Sequence, residues 1–209
     1  MEIILCDYYL LWLRYKKEWR LSLWDWNLPY LCTMELTNGS YNPLIQNIMI
    51  SKKMIEDINA QINAEMWAAQ LYLAMSVDAW RMGCRGMNHW LRKQHEEELQ
   101  HAYKFIDYLE SRHVEAELAD ITDVPKKWKN PKEMFKQALE HERKITERID
   151  DLCRAAMSEG DYATFHFLQY FVGEQVEEEA SAMEIVDILK CLDDDIAALY
   201  AYDTSLQAR

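Results

Sequence analysis

The chain has 209 residues, half of them hydrophobic by the broad count and 28% charged. That composition fits one large domain, or one domain plus an appendage, and excludes global disorder. Five glycines and four prolines are too few for a turn-dense sandwich or barrel, and no G-x-G-x-x-G or Walker-type loop occurs, so long helices remain.

The formal net charge of −13 points away from nucleic acid and from anionic membrane surfaces, and towards cations. The longest uninterrupted apolar run near the N-terminus, Tyr8 to Leu13, is far shorter than the ~20 residues of a spanning helix. A secretory leader would open with basic residues, whereas this chain opens with Glu2. Cys6, Cys32, Cys84, Cys153 and Cys191 are scattered, with no C-x-x-C. Neither a disulfide framework nor a cysteine zinc site is indicated, and a cytoplasmic location is expected.

The chain changes character near residue 49. Residues 1–48 hold four of the eight tryptophans and five tyrosines in no defensible helical or strand period. They read as an atypical extension outside the working domain, or alternatively as an interaction arm. From Met49 onward the pattern is helical, so residues 49–209 are expected to form the domain.

Ser51 is positioned to cap a first helix over residues 51–82, stopped by Gly83. A second helix is expected from about Met87 to Arg112. Residues 113–130, with Pro125, form a linker. Asn130-Pro131-x-Glu133 signals the start of a third helix that runs to Glu159 and ends at Gly160. Asp161 caps a fourth, continuing to about Lys190, and a short fifth helix starts at the aspartates 193–195. The short connections make their flanking helices antiparallel neighbours. The linker could reach ~60 Å when extended, enough to run the length of the bundle. The predicted fold is all-α: a four-helix bundle with one long crossover between the second and third helices.

The apolar seam of each helix carries a carboxylate near its middle. The first seam reads Ile55, Ile58, Ile62, Glu65, Ala69, Tyr72, Ser76. The second reads Met87, Leu91, Gln94, Glu98, His101 or Ala102, Phe105, Leu109. The third reads Phe135, Ala138, Glu142, Ile145, Ile149, Leu152. The fourth reads Leu168, Phe171, Gln175, Glu178, Ala182, Ile185, Leu189. No lysine or arginine lies on these seams, and a buried unpaired carboxylate costs roughly several kcal/mol. Captured metal cations resolve this most economically. Glu98 and His101, one turn apart, share a face, and glutamate oxygens with one imidazole suit iron or manganese, with zinc as competitor. A single E-x-x-H, or either glutamate run alone, is common on solvated helices. The coincidence over four helices is what carries weight. His141, adjacent to Glu142, should point elsewhere.

At this point residues 49 to about 190 resemble the bacterial non-haem ferritins. The resemblance rests on Ile62-Asn63-Ala64-Glu65-Met66, Leu71-Tyr72-Leu73-Ala74-Met75-Ser76 and Glu97-Glu98-Leu99-Gln100-His101-Ala102. It continues in His141-Glu142-x-x-Ile145-Thr146 and Phe167-Leu168-Gln169-Tyr170-Phe171-Val172-x-Glu174-Gln175-Val176-Glu177-Glu178-Glu179. It implies a haem-free dinuclear iron centre, with Glu65, Glu98 and His101 on the first iron and Glu98 bridging. Glu142 and Glu178 would hold the second iron, with Gln175 beside it and Tyr72 next to the pair. Glu97, Glu174 and Glu177 match the acids of an accessory third iron site. The implied activity is ferroxidase: Fe(II) and dioxygen as substrates, with ferric mineral stored in a homo-oligomeric shell of about twenty-four subunits. The fifth helix would line a symmetry axis of that shell.

Two departures stand out. The ligand helices carry one Glu-x-x-His rather than the two common in di-iron bundles, which fits ferritins better than bacterioferritin or rubrerythrin. Tyr170 occupies a place often held by tryptophan. Two alternatives stay open from the sequence: a di-iron enzyme acting on peroxide or an organic substrate without a cage, and a metal-free scaffold whose acids pair with unseen bases.

Overall fold

In the computed structural model, residues 50–192 and 195–208 are described, all within the compact unit Asn47–Arg209. The expectation for residues 1–48 lies outside the described residues, as do Asp193 and Asp194. Helices α1 (Lys52–Arg81), α2 (Arg85–Ser111), α3 (Pro131–Glu159), α4 (Tyr162–Cys191) and α5 (Ile196–Ser205) follow in chain order, and no strand occurs among the described residues.

The helix starts follow from short polar side chains that satisfy otherwise orphaned backbone donors. Ser51 Oγ accepts from Met54 N at 3.0 Å. Asn130 Oδ1 accepts from Glu133 N at 2.9 Å, and Glu133 Oε2 reaches back to Lys129 N at 2.8 Å. Asp161 Oδ1 caps α4 through Thr164 N, and Asp195 Oδ1 caps α5 through Ala197 N and Ala198 N. Gly160 ends α3 at φ 69°, the left-handed conformation that glycine adopts without a Cβ penalty.

α1 and α2 form one antiparallel hairpin, α3 and α4 the other, and α1 also packs on α3. Hydrogen bonds along α1 fix the direction of the crossover. Asn59 Oδ1 accepts from Glu117 N (2.9 Å), and Asn63 Oδ1 accepts from Ala119 N (2.7 Å). Trp67 Nε1 donates to Thr122 O (3.0 Å), and Asp78 Oδ2 accepts from Trp128 N (2.9 Å). Crossover and α1 numbers rise together, so the segment climbs alongside α1 and delivers α3 to the end where α2 began. α2 and α3 are therefore parallel, as the linker length predicts.

Asp78 anchors the top of this climb. Its carboxylate also accepts from Arg81 Nε at 2.6 Å and pairs with Lys127 Nζ at 3.1 Å. The Arg81 guanidinium, with the Trp128 amide and Lys127, holds the carboxyl well below its ordinary range.

The crossover widens the buried face of α1. Ile55, expected on the core seam, is only half-buried, while Met54 is fully buried. Asn59, Gln61 and Asp78 are buried polar residues on the faces turned to the crossover and to α3. The seam residues expected on α2 and α3 are all buried, as are those on α4 apart from Glu178, which is half-buried.

α5 packs against the beginning of α2. Cys84, at the N-cap position of α2, makes no side-chain cap bond. The buried Asp203 supplies one from a distance: Oδ2 accepts from Gly86 N at 3.0 Å and Oδ1 from Met87 N at 2.8 Å. A negative charge at a helix N-terminus also suits the helix dipole. A Cβ on Gly86 would lie 1.6 Å from Asp203 O, so only glycine permits this approach. Asp203→Ala is expected to lower stability by about 1–2 kcal/mol. Gly86→Ala should cost at least as much, because α5 must move. Equilibrium denaturation checks both, and wild-type midpoints would contradict the assignment.

Candidate metal centre

Two apolar clusters fill the bundle. One contains Leu71, Tyr72, Trp90, Met134, Phe135 and Ile185; the other contains Ile58, Ile62, Phe105, Ile149, Leu168 and Phe171. A polar layer separates them. Glu65 (1% exposed), Glu98 (2%) and Glu142 (1%) belong to it, with His101, Gln94 and Gln175, all buried. Glu178 joins from α4 at the layer's edge.

Three of the expected residues converge tightly. Glu65, Glu98 and His101 each present a ligand atom, all within 4.8 Å of one another. The α-helical spacing of Glu98 and His101 brings that pair together, and the α1–α2 packing brings Glu65. Glu65 Oε1 accepts from Gln61 Nε2 at 2.7 Å, whereas its buried Oε2 has no donor. A buried carboxylate with one orphaned oxygen, clustered with a second carboxylate and an imidazole, is an arrangement that a hard or borderline cation would satisfy.

The imidazole of His101 lies between two acids. Nδ1 is 3.6 Å from Glu98 Oε2 and Nε2 is 3.6 Å from Glu174 Oε2, both too long for hydrogen bonds. Its ring meets Phe171 edge-on at 5.6 Å between centroids, and Phe171 stacks on Phe105 at 4.1 Å. This aromatic wall keeps water from that side.

Glu142 is held by Tyr72 and Gln175. Tyr72 Oη donates to Glu142 Oε1, and Gln175 Nε2 lies 3.2 Å from Glu142 O and 3.4 Å from Oε2. Glu178 Oε2 accepts from Gln94 Nε2 at 2.7 Å. The accessory acids occupy the outer edge. Glu174 is half-buried beside His101, while Glu97 and Glu177 are exposed. His141 turns away to pack on Trp67 at 5.2 Å between centroids, with Nε2 buried and unpartnered. Burial lowers its pKa to about 4.

Sequence reasoning missed the residues that hold Glu65. Gln61 sits one turn before Glu65, and Arg148 Nε donates to Gln61 Oε1 at 2.8 Å. The i, i+4 spacing of Gln61 and Glu65 was the available signal. Glu179 was also missed as a partner. It pairs with Arg143 Nε at 3.7 Å and accepts from Thr146 Oγ1 at 2.5 Å, and Thr146 lies against Gln175.

The comparisons with known proteins agree with this fold. Residues 55–192 match the family model described as a ferritin-like domain. The bacterial non-heme ferritin of Bacteroides fragilis is 45% identical over 161 residues, covering 77% of this chain and 100% of that protein. The bacterial non-heme ferritin of Campylobacter jejuni is 37% identical over 74% of this chain and 93% of its own length. Among solved structures, an open pore ferritin from Archaeoglobus fulgidus is 43% identical with a TM-score of 0.75, over 77% of this chain and 99% of that one. The all-helical bundle is that of a ferritin-like protein, and the chain belongs to the ferritin family. No described helix is long and apolar enough to cross a membrane.

Burial raises the pKa of every carboxyl in the layer. Desolvation pushes Glu98 well above its ordinary value, and the neighbouring Glu142 and Glu65 push it further. Desolvation also raises Glu65 and Glu142, and it raises Glu178 to about 8. The folded protein therefore holds more protons than the unfolded chain between the ordinary carboxyl value of 4.5 and about 8. With the folded pKa above the unfolded one, this layer's contribution to stability falls as pH rises through that window. A divalent cation must displace those protons. Calorimetric titration of Co(II) at pH 6.5, in buffers of different ionisation enthalpy, should show proton release and an affinity that rises with pH. Binding without proton release would contradict this electrostatic picture.

Proposed function

We propose that this chain is an iron-storing ferritin subunit with ferroxidase activity. The convergence of Glu65, Glu98 and His101, together with the unpartnered buried Oε2 of Glu65, carries the reading. The names of its relatives support it, since those at 45% and 37% identity are bacterial non-heme ferritins.

Iron is the substrate here. Glu65, Glu98 and His101 bind one Fe(II). Glu142 and Glu178 bind the second, Glu98 bridges, and Gln175 lies beside them. His101 binds in its neutral form, and the carboxyls give up their protons as the cations enter. Two Fe(II) supply two electrons, enough to reduce dioxygen to hydrogen peroxide with two protons. Tyr72, hydrogen-bonded to Glu142, fixes that carboxylate beside the pair. The half-buried Glu178 leaves the second position the more labile, which favours departure of Fe(III) towards storage. Glu97, Glu174 and Glu177 form an acidic rim suited to an accessory third iron, and no haem is needed.

A soluble cytoplasmic shell of about twenty-four identical subunits completes the reading. Residues 1–48 would be an extension outside the domain of 49–209. In support, the Bacteroides fragilis match takes in that protein's whole length within 161 residues. The metal-free alternative is disfavoured, because no lysine or arginine pairs with Glu65, Glu98 or Glu142 among the described residues.

Anaerobic Fe(II) titration followed by air, with sizing of the product, tests the whole. The expected result is rapid oxidation of two Fe(II) per chain and a large iron-filled particle. A small oligomer with the same oxidation would favour the cage-free enzyme. Glu98→Ala should slow single-turnover oxidation by roughly 100-fold, since even outer-shell losses around metals cost 10–100-fold. Stopped-flow absorbance reads this directly, and an unchanged rate would reject the bridging role.

A further inference from the structure

We infer that Gln61 and Arg148 are positioning residues that orient Glu65 and reserve its Oε2 for the metal. The inference rests on the metal-binding reading above.

A primary amide can present either its oxygen or its nitrogen to a neighbour. Gln61, fully buried, has both ends occupied. Arg148 Nε donates to its Oε1 at 2.8 Å, and its Nε2 donates to Glu65 Oε1 at 2.7 Å. A guanidinium has only donors, so Arg148 admits just one of the two amide orientations. The nitrogen must then face Glu65. That hydrogen bond occupies Oε1 and leaves the buried Oε2 without a hydrogen-bond partner, available to the metal.

The chain of contacts crosses from α3 to α1 and carries positive charge to the edge of the polar layer without placing a cation inside it. Its outer end is accessible. A polar pocket of about 290 Å³ is lined by Lys53, Asp57, Gln61, Arg148 and Asp151, among others. Arg148 is half-buried there, so its replacement opens no deep core cavity. Lys53, on the same pocket, bonds to Asp57 instead and takes no part in the chain.

Anaerobic Co(II) titration of the assembled full-length protein, read through the visible d–d bands, tests this. Co(II) reports coordination without oxidation. Arg148→Met and Gln61→Leu are each expected to weaken one Co(II) per chain about 10- to 100-fold and to change the band intensities of that site. Arg148→Lys, which can still donate to Gln61 Oε1, should restore most of the affinity. Lys53→Met should bind like wild type. Wild-type affinity and spectrum in both Arg148→Met and Gln61→Leu would overturn the inference, as would an equal loss in Lys53→Met. If Gln61→Leu does not assemble, Arg148→Met alone decides by the same criterion. Glu65→Ala separates the two levels. If that variant binds Co(II) like wild type, the metal-centre reading fails, and this inference with it. If Glu65→Ala loses a Co(II) while Arg148→Met does not, only the positioning role fails.

Discussion

Three glutamates from three helices meet in a layer with almost no water contact, and among the described residues no lysine or arginine pairs with any of them. Leaving them ionised would cost roughly several kcal/mol each, even after relaxation. Protonation relieves this in the absence of metal, which is the meaning of their raised pKa values. The layer is thus held in a state that stores affinity for cations. The apolar clusters above and below it keep that state dry. On the proposed metal-binding reading, stability is given up locally in exchange for cation affinity.

The rest of the bundle holds that layer in register. Crossover bonds to Asn59, Asn63, Trp67 and Asp78 tie the two hairpins along the length of α1, which aligns Glu65 with the acids of α3 and α4. Amide side chains then aim three of the four carboxylates: Gln61 on Glu65, Gln94 on Glu178, Gln175 on Glu142. Neutral donors suit this task. They fix geometry and favour the ionised form without neutralising the charge that attracts the cation.

Much of this was legible in the sequence because it is local. The caps at Ser51, Asn130, Asp161 and Gly160 depend on residues three or four apart, and the Glu98–His101 pairing on one helical turn. The seams followed from periodicity. The misses are contacts between distant parts of the chain. Asp203 capping α2, Arg148 reaching Gln61 and the crossover rungs on Asn59 and Asn63 join residues with no local signal. Ile55 was misplaced for the same reason: the crossover broadens the covered face of α1, and Met54 takes the inward position. Glu178 proved half-buried because it lies where the layer reaches the bundle edge.

The most direct measurement is anomalous-difference diffraction at the iron edge from crystals loaded anaerobically with Fe(II). The account predicts two peaks inside each bundle, one against Glu65, Glu98 and His101 and one against Glu142 and Glu178. Iron bound only at surface acids, or an interior without anomalous density, would contradict it.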